Sequence, residues 1–289
     1  MKQIVVISGK GGTGKSIIAG SFASLARNKV MADCDVDAAD LHLLLHPIIK
    51  ETHEFKGGNT ALIDNAHCTQ CGKCQEACRF EAITEFKVDP ISCEGCGICF
   101  YICPEKAVKM EENFSGRWFI SETRYGPFVH AKLGIAQENS GKLVTIVRQN
   151  AKRIAEKESR DFVIIDGPPG IGCPVIASLA GVDLALIVTE PTLSGIHDLE
   201  RVAGVTRHFG IKSLVCINKC DLNLVIAQRI KECCQNSNIE LVGKVPFDVS
   251  VIEALVRGLP LVEYSNNHVA AEIKNLWSRI LRVLEKTGS

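Results

Sequence analysis

Gly9-Lys10-Gly11-Gly12-Thr13-Gly14-Lys15-Ser16 stands between the apolar stretch Ile4 to Ile7 and the helix-compatible residues that begin at Ile17. This is the phosphate-binding loop (P-loop) pattern, in the order strand, loop, helix that the pattern requires. Its glycines let the backbone turn tightly, so that successive N–H groups and the start of the helix point towards phosphate oxygens. The segment therefore predicts an α/β protein that binds a nucleotide.

The same pattern assigns individual roles. Lys15 is expected to reach the β and γ phosphates, and the Ser16 hydroxyl is expected to bind Mg²⁺. The residues expected to surround the phosphates are Gly11, Gly12, Thr13, Gly14, Lys15 and Ser16.

Short Val- and Ile-rich stretches alternate with segments of helical periodicity over residues 1–50 and about 140–289. This alternation predicts a mostly parallel sheet with helices on both faces. The four clearest strand candidates are Ile4 to Ile7, Phe162 to Ile165, Leu184 to Val188 and Leu214 to Ile217. We assign residues 1–55 and 135–289 to a discontinuous P-loop domain, residues 56–112 to an inserted cysteine-rich module, and residues 113–134 to return loops or a hairpin.

Charge and composition exclude several classes of protein. The 33 Lys and Arg residues balance 33 Asp and Glu residues, so no basic field favours a nucleic-acid partner. The apolar stretch at the N-terminus has only four residues, too few for a signal peptide or a membrane span. We expect a cytoplasmic protein whose thiols are reduced or bound to metal.

Residues Val269 to Leu284 form an amphipathic pattern with the apolar positions of a helix. Such a helix either packs on the sheet or lies on a membrane. The polar face is mixed in charge and not rich in Lys, which favours packing on the sheet, so a membrane is not an expected partner.

Eight of the 14 cysteines form two runs with the same spacing. The runs are Cys68-x2-Cys71-x2-Cys74-x3-Cys78 and Cys93-x2-Cys96-x2-Cys99-x3-Cys103, the second followed by Pro104. In bacterial two-cluster ferredoxins, which have this pattern, the fourth Cys of each run binds the cluster of the other run. The match predicts two 4Fe-4S clusters, one held by Cys68, Cys71, Cys74 and Cys103, and the other by Cys93, Cys96, Cys99 and Cys78.

Zinc is the alternative metal, because CxxC pairs also bind zinc. Zinc sites use two separated pairs, however, whereas three Cys at two-residue gaps recur here. The first run departs from the ferredoxin pattern at Arg79, where Pro is usual, and this charge is expected to alter the potential of the nearer cluster. Between Cys68 and Cys103 five acidic residues outnumber three basic ones, which predicts a redox partner with a basic patch.

Lys10, directly after the first glycine of the loop, is the signature of the deviant Walker A ATPases. The sequence resembles the family that includes MinD- and ParA-type proteins, the nitrogenase iron protein and Mrp-type iron–sulfur carriers. The resemblance implies Mg-dependent ATP hydrolysis in an ATP-dependent homodimer or paralogous heterodimer, in which Lys10 reaches the partner's nucleotide.

The resemblance also implies roles for the two switch segments, Ala32 to Leu41 and Phe162 to Gly170. Asp35 matches the carboxylate that orients the attacking water, and Asp33 lies near the Mg²⁺ shell. Asp166 binds Mg²⁺ through water, and the N–H of Gly170 senses the γ-phosphate.

Residues 218–221 spell NKxD, the pattern with which GTPases read guanine. In the resembled family the same strand end supplies an Asn to adenine, and a later strand end closes the base pocket. This implies that Asn218, Pro246 and Asp248 contact the base. ATP is favoured over GTP because the other motifs follow the ATPase branch.

Cys173 follows Asp166 at the spacing of a cluster ligand in the nitrogenase iron protein, but no second ligand stands between Cys103 and Cys173. We therefore favour the interpretation that Cys173 is a small apolar residue before a helix.

The leading hypothesis is an ATP-dependent iron–sulfur protein that couples nucleotide state to electron transfer to a redox partner. The first alternative is an ATP-dependent iron–sulfur or metal-cofactor assembly protein that delivers a cluster. The second is a positioning ATPase with structural or sensory clusters.

Overall fold

The computed structural model describes residues 1–134 and 140–286. The strands are β1 Lys2–Ser8, β2 Lys29–Asp33, β3 Ile48–Ile63, β4 Ile83–Thr84, β5 Lys87–Val88, β6 Val108–Thr123, β7 Gly126–Leu133, β8 Phe162–Pro169, β9 Leu184–Thr189, β10 Lys212–Asn218 and β11 Glu240–Val245. The helices are α1 Lys15–Leu25, α2 His42–Leu45, α3 Lys73–Glu76, α4 Ile98–Ile102, α5 Ser140–Lys157, α6 Cys173–Leu179, α7 Leu193–His208, α8 Leu224–Asn236, α9 Val249–Val256, α10 Leu261–Tyr264 and α11 His268–Lys286.

One nine-stranded sheet has the order β11-β10-β9-β1-β8-β2-β7-β6-β3. Strand β1 pairs in parallel with β8 and β9, and parallel pairing continues outwards to β11 on one side and β7 on the other. The four strand candidates of the sequence fall within β1, β8, β9 and β10. The predicted α/β P-loop fold with a mostly parallel sheet is therefore confirmed.

The chain divides into two compact units. The first comprises Met1–Thr52, Trp118–Lys132 and Ser140–Ser289, and the second comprises His53–Arg117 and Leu133–Asn139. The dividing lines fall inside β3, β6 and β7, and the cysteine-rich segment 56–112 lies within the second unit. The domain boundary that we placed at residue 135 lies outside the described residues.

Helix α11 buries its apolar face in the core of the first unit. Ile273, Leu276 and Ile280 are at most 1% exposed, and Trp277 packs on Phe22 with ring centroids 4.9 Å apart. The helix contacts β11 and α1. The amphipathic pattern is thus explained by packing on the sheet. No described helix has the length and apolar composition needed to cross a bilayer.

Candidate nucleotide site and cysteine cavities

The loop after β1 has backbone angles that glycine adopts without strain. Gly12 has φ +78° and Gly14 has φ +90°, in the left-handed region. A Cβ added at Gly14 would lie 2.3 Å from Nδ2 of Asn218, whereas Cβ atoms at Gly11 and Gly12 would meet nothing within 4 Å. The loop therefore packs closely against the end of β10 on one side and leaves space beside Gly11 and Gly12 on the other.

Lys15, the first residue of α1, is brought together with Asp35 from the segment after β2. The Lys15 Nζ lies 3.6 Å from Oδ2 of Asp35, and both side chains are at most 10% exposed. Burial raises the pKa of Asp35, and the positive charge of Lys15 opposes this rise. The structure thus holds the predicted phosphate-binding lysine next to the predicted water-orienting carboxylate.

Asp33 and Asp166 occupy facing positions on the neighbouring strands β2 and β8, and both are fully buried. Asp33 accepts hydrogen bonds from the N–H groups of Asp35 and Leu41, at 3.1 and 3.3 Å. Among the described residues, neither carboxylate oxygen of Asp166 has a hydrogen-bond partner. Burial raises the pKa of Asp33 and also that of Asp166, the latter to about 6.

Two adjacent buried carboxylates, of which Asp166 has no hydrogen-bond partner among the described residues, are costly unless a cation compensates their charge. Oxygen ligands of this kind suit Mg²⁺, which proteins usually hold with one or two carboxylates together with water and phosphate. Asp166 therefore fits the metal role expected for it, and Asp33 lies in the same buried group. Ser16, next to Lys15 at the start of α1, is half-buried.

Lys10 forms its ion pair and its hydrogen bonds within its own chain. Its Nζ lies 3.5 Å from Oε2 of Glu190 and donates to the hydroxyls of Thr192 and Ser194, at 3.4 and 3.5 Å. The other carboxylate oxygen of Glu190 accepts a 2.5 Å hydrogen bond from Nζ of Lys219. A contact of Lys10 with a partner's nucleotide would require the Glu190 ion pair to open.

The N–H of Gly170 also makes a hydrogen bond within the chain. Its N–H donates to the carbonyl of Ser8 at 2.8 Å, so in this structure the group that was expected to sense the γ-phosphate is already bonded. The bond joins the end of β1 to the residue that follows β8. Sensing phosphate with this N–H would require the bond to break.

A cleft beside the loop brings together the three predicted base-binding residues. Asn218, Pro246 and Asp248 line it, and about 740 Å³ of the cleft, including space open to solvent, is free of protein atoms. Asn218 donates to the carbonyl of Thr13 at 2.8 Å, and Asp248 begins α9 by accepting from Ser250 N–H. The cleft lies at the carboxyl ends of β10 and β11, where parallel sheets usually bind ligands.

Asp221, the acid of the NKxD pattern, does not line this cleft. One of its carboxylate oxygens accepts a 2.7 Å hydrogen bond from the N–H of Phe247. A wider groove between the ends of α7 and α8 lies at the amino ends of β10 and β11, away from the loop.

The eight clustered cysteines line two separate cavities in the second unit. In each cavity about 350 Å³, including space open to solvent, is free of protein atoms. Cys68, Cys71, Cys74 and Cys103 line the first cavity, and Cys78, Cys93, Cys96 and Cys99 line the second. Each set contains three cysteines of one run and the fourth of the other, the grouping that the ferredoxin pattern predicts. Left-handed Gly72 and Gly97 precede the short helices α3 and α4, which carry the third cysteine of each run.

The described cysteines are all free thiols. Burial raises the pKa of Cys74 and of Cys99, so these two thiols favour the neutral form unless a cation binds. Within residues 1–134 and 140–286, no three His, Cys, Asp or Glu side chains are arranged to hold a single metal ion.

Two further residues bear on the site. Glu190 was missed by the sequence analysis, although an acid directly after a central strand at the ligand-binding edge is a usable signal. Cys173 is exposed and is the first residue of α6, and the described residues place no metal-binding group around it.

Comparison with known proteins gives one family and several full-length relatives. The family described as CobQ/CobB/MinD/ParA nucleotide binding domain matches residues 4–261. An uncharacterized protein of Methanocaldococcus jannaschii is 36% identical, and the alignment covers 96% of each chain. A second uncharacterized protein of that organism is 22% identical, with 92% of this chain and 93% of its own covered.

Among solved structures, the septum site-determining protein MinD of Pyrococcus horikoshii, complexed with Mg-ADP, matches with a TM-score of 0.58. It is 18% identical, and the match covers 96% of this chain and 95% of that one. This likeness shows a shared fold.

Proposed function

Because the chain belongs to the CobQ/CobB/MinD/ParA nucleotide-binding family, we propose that it hydrolyses Mg-ATP and couples its nucleotide state to electron transfer by two 4Fe-4S clusters. The observation that carries the redox half is the division of eight thiols into two four-cysteine cavities. The nucleotide half rests on the P-loop geometry and on the unpartnered carboxylate of Asp166.

Each residue of the site has a separate role in hydrolysis. The N–H groups of the loop and the ammonium group of Lys15 bind the phosphates, which neutralises charge that grows as the γ-phosphate leaves. Ser16 and Asp166 hold Mg²⁺, with Asp33 beside them. Asp35, held by Lys15 at 3.6 Å, orients the attacking water.

ATP is the nucleotide that the cleft favours. The carboxylate of Asp221, which would read guanine, already binds the backbone of Phe247 and does not line the cleft. Asn218, Pro246 and Asp248 do line it and are the proposed adenine contacts.

We further propose that the active form is a dimer, with Lys10 of each subunit at the other subunit's nucleotide. Two relatives from one organism, Methanocaldococcus jannaschii, each align over more than nine-tenths of this chain, which makes a pair of paralogues an alternative to a homodimer.

The cavities fit 4Fe-4S clusters by donor chemistry and by grouping. Four cysteines line each cavity, and four thiolates are the donor set that a 4Fe-4S cluster takes from a protein. When bound, such clusters accept and release single electrons. The chain's own contribution is to hold the thiols, to limit water and to set the charge around them.

Iron and sulfide analysis after anaerobic purification tests the cluster assignment. We expect eight irons per chain, and about half of the iron after Cys71→Ser or Cys96→Ser, because each substitution removes a ligand from one cavity. Cys173→Ser is the matched control, since it replaces an exposed cysteine outside both cavities. Wild-type protein without iron, or with bound zinc, would contradict the proposal.

The coupling is tested by measuring electron transfer with Mg-ATP, with Mg-ADP and in Lys15→Ala. We expect different rates in the three cases, with Lys15→Ala insensitive to nucleotide. Identical rates throughout would show that hydrolysis and electron transfer are independent.

Cluster assembly is the second candidate function. It is favoured by one observation: Cys71 and Cys96, one in each cavity, are exposed and accessible to a recipient. Iron that leaves the chain for an apo-protein in the presence of Mg-ATP would support assembly, whereas eight irons retained through turnover would support electron transfer.

A further inference from the structure

Helix α4 exposes apolar side chains that the rest of its unit leaves uncovered. Its five residues, Ile98 to Ile102, include no buried residue. Tyr101 is 82% exposed, and Phe100 is 43% exposed and contacts Tyr101 edge to face at 5.3 Å. Single exposed apolar residues are ordinary, but aromatic and aliphatic residues exposed together on one short helix indicate a contact surface.

The position of α4 connects this surface to both cysteine cavities. Cys99, within the helix, lines the second cavity, and Cys103, directly after the helix, lines the first. Ile98 lines the second cavity as well. A molecule that covers α4 is therefore close to both cavities at once.

Charge limits what can bind there. Glu94 and Glu105, one before and one after α4 in the chain, are exposed and line the second and first cavities. Residues 53–117 contain ten Asp and Glu against seven Lys and Arg. Thiolate-bound clusters add negative charge to this excess, so the surface attracts a partner with positive charge around its contact region.

We propose that Ile98, Phe100 and Tyr101, with Glu94 and Glu105 at the edges, form the docking surface for a one-electron redox protein with a basic rim. The inference rests on the proposed function, because it assumes clusters in the cavities. Aromatic residues at the centre of the contact supply most of the affinity, and the acidic edge guides association. One electron leaves this chain and enters the partner's one-electron centre, and no bond forms or breaks.

The test uses ferric cytochrome c, a small basic one-electron protein, as the probe. Its dissociation constant for the iron-loaded full chain is measured by calorimetry at low and at physiological ionic strength. The double variant Phe100→Ser/Tyr101→Ser is expected to bind about tenfold more weakly. Glu94→Gln/Glu105→Gln is expected to reduce the salt dependence of binding. Ile91→Ser is the control, because Ile91 is 75% exposed in the same unit but outside α4.

A second measurement follows oxidation of the dithionite-reduced chain by cytochrome c and by ferricyanide, a small oxidant that needs no docking surface. The double variant should slow the first reaction and leave the second unchanged. Equal affinity of wild type and double variant, or an equal loss in Ile91→Ser, would overturn the docking surface. Wild-type protein without iron would overturn the proposed function itself, and the iron count identifies that case before any binding is measured.

Discussion

Asp166 makes the stability of the nucleotide-free protein depend on pH. Burial raises the pKa of Asp166 in the folded chain to about 6, whereas in the unfolded chain it is about 4. As pH rises, the unfolded chain therefore releases this proton before the folded chain does. The stabilising contribution is therefore complete below about pH 4 and is lost as pH rises through about 6.

Asp166→Asn is expected to reduce this dependence, while Asp33, whose pKa burial also raises, keeps a part of it. The nucleotide-free variant should melt at a higher temperature than wild type at pH 7.5, with a smaller difference near pH 4.5, while Mg-ATP no longer stabilises it. Calorimetry with and without Mg-ATP measures both effects. Asp37→Asn, at an exposed acid in the same region, serves as the control. A wild-type melting temperature that does not fall between pH 4.5 and 7.5 would argue against an uncompensated carboxylate.

Sequence and structure differ most at single residues. Lys15, Asp35 and Asp166 could be singled out because each sits at a fixed place in a short motif, and their roles in binding phosphate, water and Mg²⁺ stay predictions. The contacts of Glu190 with Lys10 and Lys219 could not be predicted, since they come from neighbouring strand ends that are distant in the chain. The bond from Gly170 N–H to Ser8 was missed for the same reason.

At the scale of elements, the loop after β1 depends on how closely α7 packs against it. A Cβ at Gly9 would lie 2.2 Å from Cβ of Asp198 and 2.9 Å from its Cα, so the helix backbone would have to move. Gly9→Ala is therefore expected to destabilise the nucleotide-free protein by about 1–3 kcal/mol. Gly11→Ala, where an added Cβ meets nothing within 4 Å, should change stability little. Urea denaturation of both variants makes the comparison, and equal midpoints would contradict the packing argument.

Helix α11 is expected to act as part of the core. Trp277 is 6% exposed and contacts the rings of Phe22 and Phe162. Trp277→Ala should lower the free energy of unfolding by about 3–5 kcal/mol, and Asn275→Ala, on the exposed face, should not.

Sedimentation with anionic vesicles should leave the wild-type chain in the supernatant, because the apolar face of α11 is already covered. Pelleting of folded wild type would show a second use for this helix.

The presence of the central strands was easier to predict than the residues at which the longer strands begin and end. β1, β8, β9 and β10 are continuous apolar stretches, which is typical of strands buried on both faces of a parallel sheet. The 16-residue strands β3 and β6 were not predicted, since their exposed and buried positions mix polar and apolar residues without a strict alternation.

At the scale of the whole molecule, Glu190 should control how readily subunits associate. Its ion pair with Lys10 must open before Lys10 can reach a partner's nucleotide. We expect Glu190→Gln to dimerise at about two- to fivefold lower Mg-ATP concentration than wild type, the range that one ion pair supplies. Lys10→Ala should fail to dimerise. Sedimentation velocity across an ATP titration measures this, with Glu158→Gln, which removes a separate exposed ion pair to Arg160, as control. Unchanged midpoints in Glu190→Gln would show that this ion pair does not restrain association.

The exchange of fourth cysteines between the two cavities has an evolutionary consequence. Gly72 with α3 and Gly97 with α4 repeat one local design. Deleting the second run would remove Cys103 from the first cavity and would leave Cys78 as the sole cysteine of the second. The two runs are thus interlocked: a lineage that keeps either cavity complete must keep both runs.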